Sequence, residues 1–195
     1  MISYVTKERV FYFCVLLLLL ASPLASADKQ QYINLITEVS NNPAREIAQT
    51  EVESGFNPFA KSPYASGLRQ FTKTTGEWAS RTVCRSLGPY QEYGAEWQIR
   101  CGVIYEQWLE KKAPTTGCYC DTRQNAERAY NGGMGWINKE SRIALSNKTE
   151  DLVAVCGDTG RAGWACKENT SYHVKISTRA IKYAIYGGEL CEIKQ

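Results

Sequence analysis

A chain of 195 residues, 44% hydrophobic and 22% charged, has room for one globular domain with a sizeable core and not for two large ones. Its formal net charge of +3 is small and unclustered, which suits a mildly anionic polymer and gives no argument for nucleic acid as a partner.

At the N-terminus, Lys7 and Arg9 precede an apolar run from Val10 to Ala21 that includes Leu16 to Leu20. Ala25-Ser26-Ala27 then supplies a small-x-small site. This is the layout of a secretory signal peptide over residues 1–27, cleaved after Ala27, with a single domain over residues 28–195. The apolar run falls short of the ~20 residues of a spanning helix. A periplasmic or secreted product without a stable membrane span is therefore expected, with an uncleaved anchor as the alternative. Cys14 lies inside the run. The remaining cysteines are Cys84, Cys101, Cys118, Cys120, Cys156, Cys166 and Cys191. An exported protein oxidises such residues to disulfides, and their odd number leaves one thiol free or paired between chains. With His173 as the one histidine and no Cys-x-x-Cys pair, no metal site is expected.

Beyond residue 27 the apolar periodicity is helical. Tyr32, Leu35, Ile36 and Val39 form one stripe, and Asn41-Asn42-Pro43 predicts the start of a second helix that Gly55 closes in a left-handed conformation. Thr74 and Glu77 fit a capping box for a third helix, with Gly88 beyond its end. Trp97, Cys101, Ile104, Tyr105 and Trp108 mark a fourth. Asp121 and Gln124 resemble a looser capping box ahead of Ala126 to Tyr130, and Ile176, Ala180, Tyr183 and Ala184 form a last stripe. The segments Ala113 to Cys120 and Asn147 to Trp164 are rich in glycine, threonine and cysteine and read as surface loops held by disulfides. Cys118 and Cys120 are too close to bond to each other, so each is expected to staple a different segment. The fold class is mainly α, with at most a short hairpin in a loop.

Glycosidic cleavage needs an acid still protonated near neutral pH, and a carboxyl group walled by aromatics at a helix end supplies one. Glu51 and Glu53 are the candidates. Periodicity does not choose between them, since Glu51 falls on the face of Ala44, Ile47 and Ala48 while Glu53 sits at the fraying end beside Gly55.

The motif around them is more specific. Ile47 to Pro58, containing Glu53-Ser54-Gly55-Phe56-Asn57-Pro58, resembles the opening motif of the soluble lytic transglycosylase family. Ala60-Lys61-Ser62-Pro63, Ala65-Ser66-Gly67-Leu68-Arg69-Gln70-Phe71, Gln98 to Tyr105, Ala129-Tyr130-Asn131-Gly132-Gly133, and Tyr172 with Val174 are similar, in order, to its later elements. The resemblance covers most of the region from Ile47 to Tyr183. It implies a lysozyme-like helical domain acting on peptidoglycan glycan strands, with Glu53 as catalytic acid/base. By the same resemblance Ser54 and Gln70 line the cleft, Tyr130 and Asn131 face the reacting sugar, and Tyr172 supports the glutamate.

Two positions depart from the family pattern. Tyr64 replaces a glycine in a loop one residue shorter, and Arg69 stands where methionine or a small residue is usual; both are expected beside the cleft, where they put substrate fit in question. No clear second carboxylate accompanies Glu53, because Glu77 and Asp121 are explained as caps and Glu92 lies in no motif. The family's chemistry needs none: Glu53 protonates the oxygen between N-acetylmuramic acid and N-acetylglucosamine. It then takes the proton of the muramic C6 hydroxyl, which closes a 1,6-anhydro ring without metal or organic cofactor. The alternatives are a goose-type-lysozyme-like hydrolase and a catalytically weak wall-binding protein of a secretion, pilus or phage apparatus.

Overall fold

The computed structural model describes residues 28–191, so the expected signal peptide lies outside the described residues. Helix α1 covers residues 28–39 and buries Ile36 of the first stripe together with Ile33, which the stripe did not include, while Tyr32, Leu35 and Val39 are partly buried. Helix α2 (Pro43–Ser54) begins at the expected proline. Asn42 does not cap it: its side-chain amide donates instead to the Tyr119 hydroxyl and, at 3.0 Å, to the Glu189 carbonyl. Here the fixed φ of Pro43 starts the helix, while Asn42 ties that start to two distant segments. Gly55 ends α2 at φ 61°, donating its N–H to the Glu51 carbonyl at 3.0 Å.

A two-stranded hairpin follows, β1 (Ala65–Ser66) antiparallel to β2 (Phe71–Thr72) with Ser66 opposite Phe71. Helix α3 (Lys73–Arg81) starts earlier than the capping-box reading placed it. Thr72 is the cap, its hydroxyl accepting from the Thr75 N–H at 3.1 Å, because β2 delivers Thr72 in the extended conformation that a cap requires.

The remaining helices are α4 (Ala95–Lys112), α5 (Tyr119–Gly132), α6 (Met134–Ala144), α7 (Thr149–Ala154) and α8 (Gly163–Ala180), with a final 3₁₀ segment Ile181–Tyr186. The stretch from Asn147 to Trp164 is therefore only partly loop: it contains α7 and the 3₁₀ turn Cys156–Thr159. Leu152 of α7 is fully buried, but a helix this short shows no repeating stripe. Asp121 caps the wrong helix for the sequence reading. Its carboxylate accepts from the Thr149 N–H of α7 at 3.0 Å rather than from α5.

Three buried clusters organise these elements. Ile33, Ile36, Ile47, Leu68, Ile99 and Ile176 join α1, α2, α4 and α8. Leu109, Ala126, Ile137 and Leu152 join α4 to α7, and Phe71, Ala79 and Trp97 sit under the hairpin. Helix α5 runs through the middle with every residue from Arg123 to Ala129 buried. Its charges are matched rather than solvated. Arg45 pairs with Glu127 at 2.6 Å, Arg123 with Glu46 at 2.8 Å, and Arg128 with Glu140 at 2.7 Å. Each buried ion costs several kcal/mol to desolvate, and only pairing with this geometry offsets it.

Disulfides join Cys84–Cys101, Cys120–Cys191 and Cys156–Cys166. Cys118 is free and exposed, so only one of the two neighbouring cysteines forms a bridge within the described residues. Residues two apart point to nearly opposite sides as a helix begins, and only Cys120 meets the C-terminal tail. Among the described residues no helix is long and apolar enough to cross a membrane.

Candidate active site

The last turn of α2, the hairpin, the end of α5 and the start of α8 enclose a cleft of about 520 Å³. Glu53 lines it together with Gln70, Tyr130, Asn131 and Tyr172, so five of the six residues named from the sequence meet in one place. Ser54 does not: its hydroxyl donates back to the Thr50 carbonyl at 3.2 Å, inside α2. Glu51 lies outside the cleft. Its carboxylate pairs with Lys182 at 2.7 Å and with Arg179 at 3.7 Å, on the side where α2 meets the end of α8.

Burial pushes Glu53 up to about 7, against a hydrogen bond from Tyr172 and the positive charge of Arg69, which both pull it down, with a further push from Glu168. A carboxyl group with that affinity is protonated in a large fraction of molecules near neutral pH, as a general acid must be.

The orientation of Glu53 is set by a chain of hydrogen bonds that begins at Arg69. The Arg69 guanidinium is fully buried beneath the cleft and does not obstruct it. It pairs with Glu46 at 2.8 Å and donates to the Thr50 hydroxyl at 3.2 Å and to Gln49 Oε1 at 3.1 Å. Helix α4 makes room for it at Gly102, where a β-carbon would lie 2.5 Å from Arg69 Nε. Arginine has no acceptor, so the oxygen of the Gln49 amide must face it and the NH₂ must face away. That NH₂ donates to Glu106 at 3.2 Å and to the Tyr172 hydroxyl at 3.2 Å. With its oxygen accepting from Gln49, Tyr172 has one proton to give, and gives it to Glu53 Oε1. Oε2 of Glu53 is left to carry the acid proton.

Tyr130 donates its hydroxyl to the Arg69 carbonyl at 2.8 Å, and its ring packs among Phe71, Tyr105 and the Arg69 guanidinium. Its role in the cleft is thus shared with a structural one. Asn131 accepts at Oδ1 from the Asn169 amide at 3.1 Å. Gln70 adopts φ 47°, uncommon outside glycine, and donates to the carbonyls of Gly67 at 2.9 Å and Ala60 at 3.2 Å, holding the hairpin loop against the cleft. Tyr64 is largely exposed on the same rim, as expected from its position in the motif.

Several residues of this site escaped the sequence reading. Gln49 lies one helical turn before Glu53, a spacing that places two side chains on one face and was available from the sequence. Arg161, Trp164 and Glu168 line the far wall of the cleft, from a segment read as loop and from the start of α8. Glu168 is a second carboxylate in the cleft, but it is exposed and no hydrogen bond among the described residues orients its side chain. His173 lies elsewhere, in a cavity of about 540 Å³ that Cys118 also lines, where burial pushes it down to about 3. Among the described residues no group of three or more His, Cys, Asp or Glu side chains is placed to hold a metal ion.

A comparison of the sequence with curated proteins finds no match. Residues 31–153, more than half of the chain, match the family described as Transglycosylase SLT domain, and this span carries Glu53, Gln70, Tyr130 and Asn131. Tyr172, Arg161, Trp164 and Glu168 lie beyond it. With this match over a helical domain of lysozyme-like type, the chain belongs to the transglycosylase SLT-domain family.

Proposed function

We propose that this protein is a lytic transglycosylase that cleaves the β-1,4 bond between N-acetylmuramic acid and N-acetylglucosamine in peptidoglycan, with Glu53 as acid and then base. Membership of the family implies a transglycosylase acting on peptidoglycan. The observation that carries the finer reading is that, of the two glutamates lining the cleft, Glu53 alone is withdrawn from solvent and oriented, held up to about 7 and hydrogen-bonded by Tyr172 on one oxygen only.

Protonated Oε2 donates to the departing glycosidic oxygen. The resulting carboxylate, steadied by the Tyr172 O–H, accepts the proton of the muramic C6 hydroxyl as that oxygen attacks C1. One C–O bond breaks, one forms, and the proton taken at the end replaces the one given at the start. Because the nucleophile is part of the substrate, its effective concentration is high and no second carboxylate is needed. The exposed rings of Tyr64 and Trp164 at the rim offer flat apolar faces to the sugars.

Glu168 supports a second reading, a hydrolase in which that carboxylate positions water. The reading above is favoured because nothing orients Glu168, whereas Glu53 is fixed through three residues. A wall-binding protein of a secretion, pilus or phage apparatus, with weak activity, is the third reading; the buried position of Arg69 removes one of the two reasons for it. Residues 1–27 are proposed to direct export, with cleavage after Ala27. Three disulfides accord with an oxidising compartment.

Turnover of purified peptidoglycan by the oxidised protein, followed from pH 5 to 9, tests the acid role. Glu53 must be protonated to start the reaction, so kcat/KM is expected to fall about tenfold per pH unit above a midpoint near 7. An unchanged rate up to pH 9 would remove Glu53 as the acid.

A further inference from the structure

We propose that Arg161 is the residue through which this cleft recognises the muramic acid unit, its guanidinium taking a carboxylate that this unit carries. The inference rests on the peptidoglycan reading of the cleft. Arg161 lies beyond the family-matched residues, on the loop that the Cys156–Cys166 disulfide closes. Within that loop, the Thr159 hydroxyl accepts from the Arg161 N–H at 3.3 Å and donates to the Cys156 carbonyl at 2.7 Å, which fixes where the side chain leaves the backbone.

The side chain crosses to the end of α5. A β-carbon at Gly132 would lie 2.4 Å from Arg161 Nη2, so the guanidinium rests directly on that glycine, beside Asn131 and 5.8 Å from the Trp136 ring. Despite this placement its donors are unspent. Nη1 is buried without a partner, and among the described residues no carboxylate lies within ion-pairing distance. The nearby Glu140 is already held by Arg128 at 2.7 Å, and Glu168, on the same wall of the cleft, makes no ion pair with Arg161.

The fully buried arginines among the described residues, Arg45, Arg69, Arg123 and Arg128, each have a glutamate, whereas Arg161 is partly buried and has none. Arg161 is the exception, and it is the one that lines the cleft. A planar fork of N–H donors matches a carboxylate better than it matches a sugar hydroxyl. On a peptidoglycan strand the N-acetylglucosamine unit is neutral, whereas the muramic unit bears a lactyl group that ends in a carboxylate or continues into a peptide stem with carboxylates of its own. Lys175 on the same wall adds positive charge.

The test compares Glu53→Gln with Glu53→Gln/Arg161→Gln and Glu53→Gln/Arg161→Lys, so that ligand is bound and not consumed. Affinity is measured for stem-bearing glycan, for glycan stripped of its stems by an amidase, and for an N-acetylglucosamine oligomer that has no carboxylate. Arg161→Gln is expected to weaken binding about tenfold on at least one muramic-containing glycan, with Arg161→Lys recovering part of it and the neutral oligomer unaffected. Loss confined to stem-bearing glycan assigns the carboxylate to the stem; loss confined to stripped glycan assigns it to the lactyl group, whose carboxyl is an amide while a stem is attached; loss on both means that Arg161 takes either. Equal affinity on all three glycans, or an equal loss on the neutral oligomer, would overturn the proposal. If Arg161→Gln unfolds, salt titration of the parent protein decides: binding must weaken with salt on muramic glycan and not on the neutral oligomer. Product release by the wild-type protein is followed in parallel. Products without an Arg161 effect leave the transglycosylase reading standing and sink this one; an Arg161 effect without products does the reverse.

Discussion

Glu53→Gln lowers turnover of purified peptidoglycan by about 10²–10⁴-fold, the usual worth of a positioned general acid, and leaves the fold intact. The amide keeps the shape of the carboxyl group and can still accept the Tyr172 hydrogen bond, but it has no acid proton to give. Stability carries a second signature. Because Glu53 titrates near 7 in the fold, above an ordinary carboxyl, the folded state holds its proton more tightly than the unfolded chain. Whatever favours the protonated form is fully present at low pH and is lost as pH rises through about 7. At pH 8 the wild type therefore carries a poorly solvated carboxylate, and Glu53→Gln is expected to be the more stable protein by on the order of 1–3 kcal/mol, with the difference vanishing toward pH 4. Denaturant melts at the two pH values check the sign. Glu51→Gln is the control. Its pairs with Lys182 and Arg179 lie at the surface, where such contacts are worth ~0–1 kcal/mol, and it touches nothing in the cleft. If Glu51→Gln were dead and Glu53→Gln active, the site would be wrongly placed.

Arg69→Met restores the residue type that the family's pattern carries, and it is nevertheless expected to harm this protein. Burial alone would push Glu46 up, but Arg123 and Arg69 outweigh it and hold its carboxylate below the ordinary range. Removing Arg69 leaves that buried carboxylate with Arg123 only, a loss of about 3–5 kcal/mol if the pair is not replaced. The effect on the site is separable from the effect on stability. Without the guanidinium, nothing forces the Gln49 oxygen to one side, so the Tyr172 proton is no longer committed to Glu53. Arg69 also pulls Glu53 down electrostatically, and its removal should move the alkaline limb of the pH–rate profile to higher pH. A merely structural arginine would lower stability without moving that limb. An unchanged midpoint in denaturant together with an unchanged limb would remove Arg69 from both roles.

Arg69 also marks where the sequence was legible and where it was not. As a departure from the motif it was visible, but its position beside Gln70 suggested a side chain in the cleft. The turn at Gln70, with positive φ, instead sends the two neighbouring side chains apart: Gln70 to the cleft wall and Arg69 into the core. The helical elements were readable wherever their buried face is apolar, as in α1, α4 and α8. Helix α5 hid its burial because Arg123, Glu127 and Arg128 are charged residues paired inside the protein, and no hydropathy pattern distinguishes them from a solvated face. Glu53 was found by its motif and not by periodicity. On α2 the more regular apolar face leads to Glu51, which ends at a surface ion pair. The wall bearing Arg161 and Trp164 depends on the Cys156–Cys166 disulfide, and pairing among seven cysteines is set by tertiary approach, not by spacing.

Mass spectrometry of the soluble products from purified peptidoglycan and the oxidised protein bears most directly on the proposed chemistry. Muropeptides ending in 1,6-anhydromuramic acid are predicted, since Glu53 acts alone and the attacking oxygen belongs to the sugar. Reducing ends at muramic acid would contradict this and place a water-activating role on Glu168.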